Sequence, residues 1–143
     1  MPADHGNEMS ETLFTIDGAR RALDRIRPAA EEICRIYRDL QSGRCGRAAA
    51  SDAWIDPQYF AGVERIHGWL GEFGRVGVQV KDLKTGLLDF PVTRAGRLVL
   101  LCWRVGEPSL GFWHETEAGF AGRRPFDDDG PWDQQDPAHD PCV

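Results

Sequence analysis

Asp89, Cys102, His114, Glu115 and Arg123 are the residues of this sequence whose types and spacing could do chemistry. Asp89 stands between Leu88 and Phe90 in a stretch that alternates like a β-strand, where aspartate is disfavoured and burial without a partner is costly. One reading makes it half of an Asp–Arg pair that holds a sheet together, with Arg97, Arg104 or Arg123 as the other half; the second makes it a catalytic or ligand-binding carboxylate. His114, between Trp113 and Glu115, suits a general base or a metal ligand, with Glu115 and Glu117 close by. Its plainer role is a strand-end histidine satisfied by a carbonyl or carboxylate. Cys102 is a soft donor that could join His114 on a metal, although a free cysteine is more often a small buried apolar residue. The candidate catalytic set is thus Asp89, His114, Glu115 and Arg123, and the candidate metal ligands are His114 and Cys102.

Whether cysteine and histidine can meet depends on strand register. A four-residue turn that pairs Arg104 with Ser109 sets Cys102 opposite Gly111, and places His114 on the other face with Val99, Leu101 and Trp103. A shift of one residue brings the two together. The sequence favours the first pairing, which leaves a Cys–His site open but not favoured.

Gly119-Phe120-Ala121-Gly122-Arg123-Arg124 is a second constellation. Gly119 and Gly122 would let backbone amides converge on an anion, with Arg123 and Arg124 supplying charge and forked donors. Equally, the segment could cross back over a sheet, bringing Phe120 onto it with Arg123 held by an ion pair. It matches neither a phosphate loop nor a dinucleotide fingerprint. Trp103 and Trp113 fall in adjacent strands, where they could line a ligand pocket, but paired aromatics in a sheet are ordinarily core.

Other chemistries are set aside by composition. The four cysteines form no CxxC pair and the four histidines no HExxH or HxxxH spacing, so no zinc motif is legible along the chain and reduced thiols are expected. The net charge of -6 is concentrated at the ends: residues 127–143 hold six aspartates and no lysine or arginine. Residues 13–126 are slightly positive, too weakly for nucleic-acid binding to be expected. There is no apolar run of membrane-spanning length and no signal-peptide order at the N-terminus, so a cytoplasmic address and no membrane partner are expected.

The elements that must position these residues follow from periodicity. Thr15 is placed as a helix N-cap, with Phe14 stapling onto Ala19. Ile16, Ala19, Leu23, Ile26, Ala30, Ile33, Tyr37 and Leu40 then recur at steps of three and four, a heptad-like seam over residues 16–40 in which Pro28 predicts a kink or two abutting helices. Residues 41–53 read as a loop. Asp56-Pro57 opens a second helix over 57–73, ended by Gly71 and Gly74, in which Tyr59, Val63, Ile66, Leu70 and Phe73 keep the same spacing, and the two matched seams predict an antiparallel helical hairpin. From Gly74 onward the period becomes that of strands, near 77–82, 87–92, 97–104 and 109–115. The predicted class is α+β: a helical hairpin on a four-stranded antiparallel meander, closed by the Gly-rich segment 119–126. Acidic tails at 1–12 and 127–143 are expected to be disordered.

Three blocks carry a resemblance: Val80-Lys81-Asp82-Leu83-Lys84-Thr85-Gly86-Leu87-Leu88-Asp89-Phe90-Pro91, then Leu101-Cys102-Trp103-Arg104-Val105-Gly106-Glu107-Pro108, then Trp113-His114-Glu115 with Gly119-Phe120-Ala121-Gly122-Arg123. Together with the Phe14-Thr15 helix start, they resemble the bacterial family called domain of unknown function 2203, over about residues 13–126. The chain departs from it at Gly18, where a capping-box glutamate is typical, and around 41–53. The resemblance brings no activity and hence no catalytic residue. The function expected is a binding or regulatory module acting by self-association or on a protein partner; the alternative is a small enzyme or metal- or ligand-binding protein built on Asp89, His114, Glu115 and Arg123. No cofactor is predicted, with a metal or haem left open.

Overall fold

Thr15 opens the first helix: its hydroxyl accepts a hydrogen bond from the Gly18 amide at 2.8 Å, and α1 runs over Ile16–Ser42. Phe14 packs edge-on against Phe90 of the sheet rather than serving only its own helix. The structure, a computed structural model, describes residues 13–42 and 56–133. The expected N-terminal tail at 1–12, residues 134–143 of the expected C-terminal tail, and most of the expected loop lie outside them.

Helix α1 is continuous across Pro28 rather than divided in two. Ala22 and Leu23 before the proline and Ala29, Ala30, Ile33 and Cys34 after it are all buried, so packing on both sides of the missing amide donor holds the helix together. Asp56 caps α2, Pro57–Val76, by accepting from the Gln58 amide at 2.8 Å. This helix passes Gly71 and Gly74, the expected stops. It ends instead at Gly77, whose left-handed backbone (φ 97°) is a conformation that favours glycine. The three extra residues follow Phe73, which is 1% exposed and anchors the end of α2 in the core. Contacts of Leu40 and Ile36 with the open flank of Gly62, and of Glu32 with Arg65, run in opposite senses along the two helices. The seam residues Ile16, Ala19, Leu23, Ala30, Ile33 and Leu40 are buried within the single chain. Self-association through that seam, one of the expected routes, would expose this core.

Five antiparallel strands follow in chain order, β1 Gln79–Asp82, β2 Leu87–Arg94, β3 Arg97–Arg104, β4 Phe112–Glu115 and β5 Arg124–Pro125. The strand beyond the four expected comes from the closing segment, where Trp113 pairs with Arg124 and Phe112 with Pro125. Side chains alternate across the sheet. Leu88, Phe90 and Val92 face Trp103, Leu101 and Val99 across the β2–β3 ladder and, with Trp113, complete the core shared with the helices. The residues between them, Asp89, Pro91, Leu100, Cys102, Phe112 and His114, therefore occupy the opposite face.

The described part of the expected C-terminal tail, residues 127–133, is docked on the sheet. The Ala95 amide donates to the Pro131 carbonyl, the Asp133 amide to Thr93, and the Gly96 amide to the Asp133 carboxylate. Trp132 stacks on Phe126, meets Trp113 edge-on, and shares the Arg94 guanidinium with it at 4.5 Å from each ring. A run counted by its aspartates reads as a tail, but one tryptophan carries enough apolar surface to dock residues 127–133.

Candidate functional site

The β2–β3 register sets Asp89 directly across from Cys102, and the β3–β4 register sets His114 across from Leu100, one side chain along the same face. Three adjacent strands thus contribute one polar side chain each. All three are buried, with Asp89 2% exposed, Cys102 0% and His114 3%. Their donor atoms lie within 4.8 Å of one another.

The imidazole is held at both ends. Nδ1 is 2.7 Å from the Glu115 carbonyl oxygen, and because that oxygen only accepts, Nδ1 carries the proton. Nε2 then presents its lone pair to Asp89 Oδ2 at 3.1 Å, a contact that requires one proton shared between them. Burial raises the Asp89 carboxyl above the ordinary aspartate range, and the His114 charge opposes that rise only in part. The other carboxylate oxygen, Oδ1, is buried with no hydrogen-bond partner. Burial, followed by the negative charge of Asp89, pushes the Cys102 thiol up to about 12, against the opposing pull of Arg123.

Nucleophilic catalysis fits this arrangement poorly. A catalytic cysteine needs a base that takes its proton and some exposure. Here the carboxylate makes the thiol harder to ionise, and the sulfur is sealed. A metal centre fits well. Thiolate, imidazole and carboxylate are the donors that zinc and its neighbours accept, and a metal-binding histidine typically donates its second N–H to a carbonyl, as His114 does to Glu115.

The other sequence candidates separate from this cluster. Glu115 contributes its carbonyl, while its carboxylate pairs with Arg97. Arg123 pairs with Glu107 at 2.8 Å, donates to the Cys102 carbonyl at 3.4 Å, and lies over the rings of Phe112 and Phe120. Burial is the largest single influence and disfavours the charge of both partners, but their mutual hydrogen bond and attraction, together with the Arg104 amide and charge on Glu107 and Cys102 beside Arg123, outweigh it in sum, lowering the Glu107 pKa and raising that of Arg123. The expected arginine partner of Asp89 is therefore a histidine, since Arg97 and Arg123 are committed to glutamates. The amides of Gly122 and Arg123 close onto Gly119 and Phe120 within the 3-10 turn Phe120–Gly122, so this segment crosses the sheet with its own amides engaged. Arg124 is exposed and packs over Trp113. Trp103 and Trp113 belong to the helix-facing core, on the face opposite the cluster, where the Trp103 indole donates to the Glu107 carbonyl.

The favoured register is overturned. The connection from β3 runs from Val105 to Gly111, and Leu101, not Cys102, takes Trp113 as its partner. Burying the larger Trp113 with Leu110 in the core decides the shift, and it carries His114 to the face of Cys102. Glu107, which stands in the second resemblance block but not among the sequence candidates, is the neighbour that sequence reasoning misses; the signal for it is the spacing to Arg104, whose amide it accepts from at 2.9 Å.

The family described as "Uncharacterized conserved protein (DUF2203)" matches residues 12–126. The chain belongs to this family. The DUF2203 span holds the whole buried cluster together with Glu107 and Arg123, and it ends before the docked Trp132 segment. No curated protein and no solved structure gives a significant match. Among the described residues no helix is long and apolar enough to cross a membrane.

Proposed function

We propose that this DUF2203 protein is a metal-binding module in which Asp89, Cys102 and His114 hold one divalent transition ion of the zinc type. The observation that carries the reading is the buried convergence of three different donors from three strands, one of them a carboxylate oxygen without a partner. A buried carboxylate partnered only by an imidazole and a thiol is costly. A cation displacing the shared proton and the thiol proton would satisfy Oδ1, ionise the sulfur, and use an imidazole already oriented by its outer hydrogen bond. Such an ion would also tie β2, β3 and β4 together across the face that the helices leave.

The test is zinc uptake by protein prepared metal-free, followed by elemental analysis and competition with a chromophoric chelator. One zinc per chain is expected, with Cys102→Ser and His114→Ala each weakening affinity by at least about tenfold. Cys34→Ser should bind like wild type, because the Cys34 thiol donates to the Lys84 carbonyl, away from the cluster. Circular dichroism establishes that each variant is folded. Wild-type protein that takes up no zinc, or folded ligand variants that bind it undiminished, would overturn the reading.

A further inference from the structure

The three donors leave a tetrahedral ion with one coordination position unfilled by the described residues, the pattern of sites that take an exchangeable ligand. Arg123 is the cation that acts on Cys102, as Lys81 acts on Asp89. Its side chain is 11% exposed, it reaches the Cys102 carbonyl with Nη2, and its guanidinium lies 4.0 Å from the ring of Phe112, the residue paired with Cys102. Glu107 takes one of its hydrogen bonds, yet the Nε–H is buried with no acceptor. A buried guanidinium donor left unused is as unexpected as the unused carboxylate oxygen of Asp89, and the two stand on either side of Cys102.

We propose that the fourth position of the metal centre takes a small anion, recognised by Arg123 as well as by the ion. This rests on the metal reading above. The thiolate and the carboxylate neutralise a divalent ion and Glu107 balances Arg123, so one added negative charge is what the guanidinium's spare donor can stabilise. The two groups divide the work: the metal binds one atom of the anion, and Arg123 orients it by a charge-assisted hydrogen bond. Among the described residues, the short 3-10 turn Phe120–Gly122 lies beside Arg123, and its Phe120 is 42% exposed and stacks against both Arg123 and Arg104.

The test uses the full chain loaded with cobalt(II), with azide as the probe. Wild type should show the visible bands and sulfur-to-cobalt charge transfer of a tetrahedral thiolate site, and azide should change the bands saturably. Arg123→Gln should raise the azide dissociation constant about tenfold, the loss expected for one charge-assisted hydrogen bond. Arg123→Lys, which keeps the charge but not the fork, should fall between, and the exposed Arg124→Gln should match wild type. Cobalt bands that form normally but ignore azide, or an azide constant equal in wild type and Arg123→Gln, would overturn the anion proposal while leaving the metal centre standing. Absence of the bands in wild type would overturn both.

Discussion

His114 Nε2 lies 3.1 Å from Asp89 Oδ2, although the two residues sit on strands separated by β3. The contact spans Cys102, and the Nδ1 bond to the Glu115 carbonyl leaves Nε2 as an acceptor. The pair therefore holds a proton where a metal-bound centre would hold an ion.

That proton makes Asp89→Asn informative. An asparagine amide can donate to Nε2, so the metal-free variant should unfold within about 1 kcal/mol of wild type in urea, or be more stable, since a buried carboxyl becomes a neutral amide. Zinc should separate them. At a concentration one hundred times the wild-type dissociation constant it should stabilise wild type by about 2.7 kcal/mol, and the variant by much less.

Glu107 gives the pH dependence. Its folded pKa lies below the ordinary glutamate value, so the stability it contributes is present above that value and is lost as pH falls through the lowered one. Glu107→Gln should cost about 2 kcal/mol at neutral pH, since it leaves Arg123 with a weaker acceptor. The difference from wild type should then shrink on acidification, as measured by urea midpoints across the acid range. A difference that is independent of pH would show that the ionised pair contributes nothing.

Trp132 tests where the folded part ends. Trp132→Ala removes the stack on Phe126, the edge contact with Trp113 and one of the two rings around Arg94. A loss of about 2 kcal/mol is expected by thermal or urea unfolding. Wild-type stability in the variant would return residues 127–133 to the status of a dispensable tail.

The elements were legible because they are local. The Thr15 and Asp56 caps, the three-four seams and the alternation of Leu88, Phe90 and Val92 each express a period or a cap that neighbouring residues define on their own, and the strands they predict lie close to those found. The helix end was misread because Gly71 and Gly74 are tolerated inside a helix, while Gly77 alone takes the left-handed conformation that stops it. Asp89, Cys102 and His114 stood out singly, each as a polar or reactive residue in an apolar strand. Their meeting was not legible. It turns on a register set by which of Trp113 and His114 enters the core, a competition between faces that depends on the helices packed against the sheet. What the sequence determined by itself is therefore the class of fold and the chemistry of each candidate. Only the tertiary structure decided which of them share a face, because a shift of one residue between β3 and β4 moves every side chain of β4 to the other side of the sheet relative to β3.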